Sequence, residues 1–363
     1  MILSFPQLIE HAVKMQATHI HLNVDMPPMI RINGKLKEVK IGSLTAAQIV
    51  DLFSKILDQS QIDSISRGDE ITLVHHDSAS GAAVVINALF TQEGIASSIK
   101  LLTNKAATIG IEEIDISHRL KNLSELTQGL ILITGATGSG KSATLAAIIN
   151  YINSEHNKNI IVLDKFNESI YKSHKSIINH AKIGNDDDTK YINTLKKLAN
   201  KDCDVVAIDN CKMTLELVEC ILDVASSGQL VFVTMLATSS VKAISDLVYL
   251  LPQASKENLS NKIAQCLEGV VHQKLFVGSS SKRVAALEII ISDSTIKKYI
   301  SSSRLPDLDA CLKNDKIYPN IIKMKDALKD LLSRGIIAAS IEGLEYDFDL
   351  TYEKPMIISD DDF

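Results

Sequence analysis

The sequence predicts an α/β protein in two parts, a small α+β module followed by a larger, mainly parallel sheet with helices on both faces. The chain has 363 residues, 45% of them hydrophobic and 23% charged, which is enough to build two globular cores. In its second part, short apolar strands alternate with amphipathic segments, the order typical of strand–helix–strand units. Its first part instead shows hairpin turns and strand segments in which apolar and polar residues alternate.

The first part begins with a predicted helix over residues 6–16, where apolar side chains recur at helical spacing. A strand, a Pro-Pro turn, a second strand and an Asn-Gly hairpin turn are predicted next, and then one helical segment over residues 46–65. Three β-type segments complete this part: "EITLVHH", "AAVVINALF" and "IASSIKLLT". The pattern loosens after Thr103, which predicts an interdomain linker.

The second part begins with an apolar strand over 130–134, a glycine-rich turn and a helix with four large apolar residues on one face: Leu145, Ile148, Ile149 and Ile152. Strand "IIVLD", a helix-rich stretch to Lys201, strand "DVVAID", a helix from about Thr214 and strand "QLVFVTM" are predicted to follow. We expect domains at 1–103 and 121–345, a linker at 104–120 and an acidic tail at 346–363.

Composition excludes several classes of protein. The net charge of −6 argues against a chain-wide nucleic-acid surface, so no nucleic-acid partner is expected. The five cysteines form no CxxC pair, which argues against a zinc module. No signal peptide and no apolar run of membrane-spanning length is present, so a cytoplasmic protein without membrane insertion is predicted.

The strongest motif is the stretch "GATGSGKS", which fits the phosphate-binding pattern G-x-x-x-x-G-K-[ST] between a predicted strand and a predicted helix. Backbone N–H groups of such a loop surround phosphates, and the helix N-terminus adds its positive dipole end. Its lysine would contact the β- and γ-phosphates, and the following serine would bind Mg²⁺. The predicted nucleotide-binding residues are Gly135, Ala136, Thr137, Gly138, Ser139, Gly140, Lys141 and Ser142.

Hydrolysis needs two further groups, an acid that holds the metal and a base that orients the attacking water. Asp209 ends strand "VVAID" and fits the first need, so Ser142 and Asp209 are the predicted metal-binding pair. Asn210 follows where many such ATPases have a glutamate, and an amide cannot accept the proton of a water. Glu168 is the other candidate base, and a solvated loop carboxylate is an equal alternative for it.

Stretches along most of the chain resemble the type IV pilus retraction ATPases, the PilT and PilU family, within the wider secretion-ATPase superfamily. The resemblance rests on "GLILITGATGSGKSATLAAIINYIN", "MQATHIHLNVDMPPMIRINGKL", "SSGQLVFVTMLATSS" and "KRVAALEIIISDSTIKKYI", and it covers about residues 5–340. It implies a PAS-like N-terminal domain and a RecA-like P-loop ATPase core with a helical C-terminal region. ATP and Mg²⁺ are the implied cofactors.

The departures from the family pattern fall on acids and histidines. In the family's acidic box, Asp164 replaces the first Glu, while Glu168 falls on the position usually assigned as catalytic base. In the Walker B segment the family's Gly-Glu is replaced by Asp209 and Asn210. Gln229 and Leu236 replace the two histidines of the histidine box, so neither position carries charge.

Positively charged groups are lost as well. Lys196 and Asn200 take the places of two arginines before Walker B, Ala83 and Val85 replace arginines of the N-terminal domain, and Glu93 replaces another. Phosphoryl transfer needs cations at the transition state, and one arginine finger can contribute a factor of roughly 10³ to 10⁵ in rate. The resemblance implies a hexameric ring at the inner-membrane pilus platform that serves twitching motility. The departures from the family pattern predict impaired hydrolysis and a role as an accessory to an intact homologue.

Two alternatives stay open at this point. The first is a working retraction motor with Glu168 as base, Asp209 on the metal, and Lys196 and Lys212 in place of arginines, slower because lysine lacks the bidentate fork of arginine. The second is a pilus-assembly or secretion ATPase, which the missing CxxC pairs disfavour. The predicted catalytic residues are Glu168, Asp209, Asn210 and Lys196.

Overall fold

The computed structural model describes most of the chain. The described residues are 4–32, 34–77, 83–102, 117–165, 171–183, 189–198, 202–279, 283–313 and 320–338. The predicted acidic tail and most of the predicted linker lie outside them. No described helix has the length and apolar character needed to cross a membrane.

The first sheet follows an N-terminal helix and contains six described strands. The elements are α1 (Phe5–Lys14), β1 (His19–Leu22), β2 (Met29–Ile32), β3 (Lys35–Glu38), α2 (Ala46–Ser54), α3 (Gln59–Ser66), β4 (Ile71–His76), β5 (Ala83–Thr91) and β6 (Gly94–Leu102). Every pairing is antiparallel, in the order β3-β2-β1-β6-β5-β4. The helices pack on one face, around the fully buried Phe5 and Phe53.

The single helical segment predicted over residues 46–65 is two helices. The first ends at Ser54. Asp58 begins the second as its N-cap, because its carboxylate accepts hydrogen bonds from the Gln61 N–H at 2.9 Å and from the Ser60 hydroxyl at 2.7 Å. Gln61 completes a capping box by accepting from the Asp58 N–H at 3.0 Å. An aspartate in extended conformation favours a new helix start over continuation.

Two histidines lie side by side on the face of this sheet opposite the helices. The rings of His19 and His21 stack with centroids 6.0 Å apart. Burial, followed by the charge of Lys100, lowers the pKa of His19 to about 4, so the folded chain holds it uncharged at neutral pH. No group of three or more metal-ligating side chains occurs among the described residues.

The second sheet has eight described strands in the order β14-β13-β12-β7-β11-β10-β8-β9. Its strands are β7 (Gly129–Gly135), β8 (Asn159–Asp164), β9 (Ile177–Lys182), β10 (Val205–Asp209), β11 (Leu230–Leu236), β12 (Leu267–Val277), β13 (Arg283–Ile291) and β14 (Ile321–Ile322). The helices are α4 (Ser117–Ser124), α5 (Lys141–Glu155), α6 (Thr189–Leu198), α7 (Leu215–Ser226), α8 (Ser240–Tyr249), α9 (Lys256–Cys266), α10 (Ser294–Ser301), α11 (Leu305–Lys313) and α12 (Met324–Ser333).

The prediction of a mainly parallel sheet with a helical C-terminal region is confirmed. Strands β9, β8, β10, β11, β7 and β12 run parallel, and β13 and β14 are antiparallel additions at one edge. Helices cover both faces, with α5 on one face and α7 and α8 on the other. The central strand β7 is buried along its whole length, as expected of a parallel sheet with two covered faces.

The stretch predicted as rich in helix before Lys201 also contains a strand. Residues Ile177–Lys182 form β9, which pairs in parallel with β8 at the edge of the sheet. Ile177 has 63% of its surface exposed, so the strand lacks the buried apolar run that marks its neighbours. Backbone pairing to β8 places it in the sheet, and Ile178 and Ala181 pack partly buried against the core.

Candidate nucleotide-binding site

The glycine-rich turn lies between the carboxyl end of β7 and the first turn of α5, as predicted. Gly140 is the residue before the helix and adopts a left-handed conformation, with φ of 91°. No side chain among the described residues caps this helix end, so the N–H groups of its first turn are available to an anion. The turn therefore has the form of a phosphate cradle.

Two of its glycines are required by their surroundings. A Cβ atom on Gly135, where φ is 150°, would lie 2.5 Å from the Gln273 carbonyl oxygen and 2.5 Å from Ser139 Oγ. A Cβ atom on Gly140 would lie 2.7 Å from Gln273 Nε2. Both positive φ angles also disfavour any L side chain. The loop can adopt this path only with glycine at these positions.

Lys141 lies across the loop. Its ammonium group donates to the carbonyl oxygens of Gly135 at 3.0 Å and Ala136 at 2.8 Å. Beside it, Ser139 is 94% buried, since 6% of its surface is exposed, and its hydroxyl has no hydrogen-bond partner among the described residues. A buried polar atom without a partner is costly, and a phosphate oxygen would satisfy it. These residues fit a bound phosphate group.

Asp209 is held firmly at the carboxyl end of β10. It is buried, and its Oδ1 accepts hydrogen bonds from the Thr234 hydroxyl at 2.5 Å and from the Asn210 N–H at 3.0 Å. The Tyr191 hydroxyl donates to the Asp209 carbonyl oxygen at 2.8 Å, and burial raises the pKa of that hydroxyl. Neither bond to the carboxylate uses Oδ2. This carboxylate oxygen is the type of donor that Mg²⁺ prefers.

Asn210 follows Asp209 at the carboxyl ends of β8 and β10, a place called the acidic corner below, and its side chain contacts a second acid. Asp164 ends β8 and is the register partner of Asp209 on β10. The Asn210 side-chain amide donates to Asp164 Oδ1 at 3.2 Å, while its backbone is left-handed with φ of 55°. The corner therefore contains two buried carboxylates, Asp164 and Asp209, and the amide of Asn210. An amide cannot accept a proton from water and so cannot act as a base.

Lys196 does not join this corner. It lies on α6 with Tyr191, but five positions along a helix rotate a side chain by about 140°, so the two project in different directions. Its ammonium group pairs instead with Glu216 Oε1 at 2.7 Å, an exposed contact that raises the pKa of Lys196. Glu168 lies outside the described residues.

The two positions where the resemblance places N-terminal arginines have become apolar and buried. Ala83 and Val85 have 7% and 2% of their surface exposed, and they pack with Leu102 and Val74. Strand β5 therefore presents no cation at either position. Glu93, at the turn that follows, is exposed.

The two histidine-box positions lie at opposite ends of β11. Leu236 ends the strand as the register partner of Gly135, and 63% of its surface is exposed beside the phosphate loop. Gln229 precedes the first residue of the strand and is buried at the amino end of β11, where its backbone carbonyl oxygen accepts from the Gly129 N–H at 3.0 Å. Leu236 thus adds an apolar surface next to the loop, and Gln229 is remote from it.

Comparison with known proteins agrees with this geometry. The family model described as "Type II/IV secretion system protein" matches residues 2–308. The chain belongs to this family. It is 26% identical over 332 residues to the type IV pilus retraction ATPase PilT of Pseudomonas aeruginosa, an alignment that covers 92% of this chain and 95% of that protein. It is also 26% identical over 312 residues to a twitching motility protein of Neisseria gonorrhoeae, covering 86% and 82% of the two chains.

The fold of this family member is also that of a solved relative. The crystal structure of the pilus retraction motor PilT with bound ADP superposes with a TM-score of 0.76 at 25% identity, covering 93% of this chain and 95% of that one. The predicted resemblance to PilT-family ATPases is therefore confirmed, and with it the RecA-like core.

Sequence reasoning missed several buried polar residues that support the site. Thr234 and Tyr191 hold Asp209, and Gln273 on β12 contacts the phosphate loop itself. The signal for Thr234 and Gln273 was a polar residue next to apolar strand residues, as in "VFVTML" and "VVHQKL". That signal shows that a partner is needed but does not identify the partner.

Proposed function

We propose that this protein binds Mg·ATP as a member of the pilus retraction ATPase family and hydrolyses it poorly, acting as an accessory or divergent subunit of a retraction motor. The observation that carries the proposal is a contrast within one site. The phosphate loop is complete, whereas the adjoining corner has an amide at Asn210 and an apolar side chain at Leu236.

Nucleotide binding is supported by the loop geometry. The left-handed Gly140, the uncapped start of α5 and the buried hydroxyl of Ser139 all suit a bound phosphate. In this proposal Ser142 and Asp209 hold Mg²⁺, which neutralises phosphate charge when bound. ADP binding by the PilT relative of similar fold agrees with this assignment.

Impaired hydrolysis is supported by the chemistry that is missing. Asn210 has no basic group to activate water, Lys196 is paired with Glu216, and Ala83 and Val85 are buried in an apolar cluster. Cations at the transition state are the main contribution that such enzymes make to rate. A site with the loop but without these groups would bind nucleotide and turn it over slowly.

A fully active retraction motor is the second candidate function. Glu168 favours it, since the sequence keeps a carboxylate at the position that the resemblance assigns to the catalytic base. Both candidates share the proposed assembly, which is a hexameric ring of two-domain subunits at the cytoplasmic face of an inner-membrane pilus platform. In the first candidate an intact homologue supplies most of the force.

Substitution of Glu168 by Gln tests the proposed site. We expect slow phosphate release by the unsubstituted protein, well below about one per second, and none by Glu168→Gln, while ATP affinity stays the same, because the amide cannot accept a proton. Steady-state phosphate release and calorimetric ATP binding provide the two readouts. Glu155→Gln, at the far end of α5 where Glu155 pairs with Lys175, is the matched control.

Two outcomes would count against the proposal. Measurable phosphate release at the same rate by Glu168→Gln and the unsubstituted protein would show that Glu168 is not the base. Release by the unsubstituted protein at about one per second or faster would be typical of a working enzyme and would favour the second candidate.

A further inference from the structure

Gln273 is a buried amide in the middle of strand β12. Only 2% of its surface is exposed. Its Nε2 donates to the carbonyl oxygen of Ser139 at 2.7 Å, and its Oε1 accepts from the Thr144 hydroxyl at 2.5 Å. One side chain thus joins the phosphate loop to the first turn of α5 and fixes both to β12.

The fit around this amide is tight. The Gln273 carbonyl oxygen lies 2.5 Å from where a Cβ on Gly135 would be, and its Nε2 lies 2.7 Å from where a Cβ on Gly140 would be. The first and last glycines of the loop motif therefore both pack against this one residue. Loop and amide form a single unit that allows little displacement.

The preceding residue, His272, makes a contact on the other face of the sheet. His272 is 3% exposed, and its Nδ1 lies 3.1 Å from the hydroxyl of Thr134, its register partner on β7. Thr134 directly precedes Gly135. Successive residues of a strand face opposite sides of the sheet. On one face, His272 contacts Thr134 just before the loop, and on the other, Gln273 contacts Ser139 within the loop.

We propose that Gln273 is a positioning residue that sets the path of the phosphate loop and so determines affinity for the phosphates of a bound nucleotide. The inference rests on the proposed function, since it assigns Gln273 to the same nucleotide site. Gln273 itself does not touch the ligand. Its hydrogen bond to the Ser139 carbonyl oxygen fixes the direction of that peptide group within the loop.

The test is calorimetric binding of ADP and of adenosine, which has no phosphate, to the full-length protein and to Gln273→Leu. The leucine keeps the volume of the side chain and removes both hydrogen bonds. We expect ADP to bind about tenfold more weakly, as the loss of two buried hydrogen bonds at the loop implies, and adenosine to bind as before.

Asn153→Leu is the matched control. Asn153 is also buried on α5, and its amide donates to the Lys172 carbonyl oxygen at 2.8 Å and accepts from the His174 N–H at 2.9 Å. It lies nine residues beyond Thr144, or about 14 Å along the helix. The control variant therefore loses the same kind of bonds far from the loop, and its ADP affinity should not change.

Gln273→Glu adds a second measurement, the pH dependence of ADP affinity, which general structural damage would not change. Its carboxylate can still accept from Thr144 but presents an oxygen to the Ser139 carbonyl, and protonation restores a donor there. We expect its ADP affinity, relative to that of the unsubstituted protein, to recover as pH falls from about 8 to about 6, because burial raises the pKa of a carboxyl group.

Three results would overturn the inference. The first is ADP affinity of folded Gln273→Leu within about twofold of the original, and the second is an equal loss for ADP and adenosine. If Gln273→Leu does not fold, a pH-independent deficit in Gln273→Glu is the third. Absence of ADP binding by the unsubstituted protein would overturn the proposed function, and this inference with it.

Discussion

Replacing Asn210 by Glu is expected to raise the rate of ATP hydrolysis by about a hundredfold. A well-positioned general base contributes a factor of roughly 10² to 10⁴, whereas the amide of Asn210 contributes none of it and Glu168 supports only the slow basal rate. The Asn210 side chain already reaches the corner formed by Asp164 and Asp209, as its hydrogen bond to Asp164 shows. A carboxylate at position 210 would therefore lie close to Asp164 and Asp209.

Two local effects oppose this gain and set the expectation at the lower end of the range. Residue 210 has φ of 55°, a conformation that Asn tolerates and that costs a residue such as Glu about 1 kcal/mol. The new carboxylate would also face Asp164 in place of a donor, which raises the pKa of one member of the pair. We expect a gain of about a hundredfold to remain after both effects.

Asn210→Gln is the control for this experiment. It has the length of Glu and the same backbone strain, but no base, so phosphate release should stay at the original rate. Release is measured at saturating Mg·ATP for all three proteins. If Asn210→Glu is no faster than Asn210→Gln, the missing acid at this position does not limit hydrolysis.

Replacing Lys141 by Ala is expected to weaken ADP binding by about a hundredfold or more. Its ammonium group is the only cation that the loop motif itself supplies, and charge-assisted hydrogen bonds to phosphate contribute about 1.5–3 kcal/mol each. In this structure the group donates to the carbonyl oxygens of Gly135 and Ala136, a position from which it can turn to a phosphate.

Calorimetric titration with ADP measures this effect, and thermal unfolding without nucleotide shows whether the fold is kept. Lys242→Ala is the control, because Lys242 is an exposed lysine that pairs with Asp246 on α8. It should bind ADP like the unsubstituted protein. Unchanged ADP affinity in Lys141→Ala would show that this loop is not the nucleotide site.

Much of the fold could be predicted because its signals are local. Buried strands such as β7 and β10 appear as short apolar runs, and α5 shows its buried face as a helical repeat. The edge strand β9 was missed because its pairing to β8 leaves Ile177 exposed and its sequence without such a run. The break at Asp58 was missed because its capping box lies inside a continuous amphipathic pattern.

The candidate site was predictable only where its residues are contiguous. The phosphate loop is one motif, and Asp209 and Asn210 end one strand, so local sequence identified them. Gln273 lies more than a hundred residues from Ser139, and only the register of β12 on β7 brings the two together. The pairing of Lys196 with Glu216 likewise depends on how α6 packs against α7.

A single-turnover assay tests the central claim most directly. The protein is held in excess over labelled Mg·ATP, bound nucleotide and released phosphate are followed together, and Lys141→Ala serves as the control. The account predicts prompt binding, absent in the control, with little or no phosphate released while the nucleotide stays bound. Prompt phosphate release by the unsubstituted protein, absent in the control, would contradict it and identify a working motor.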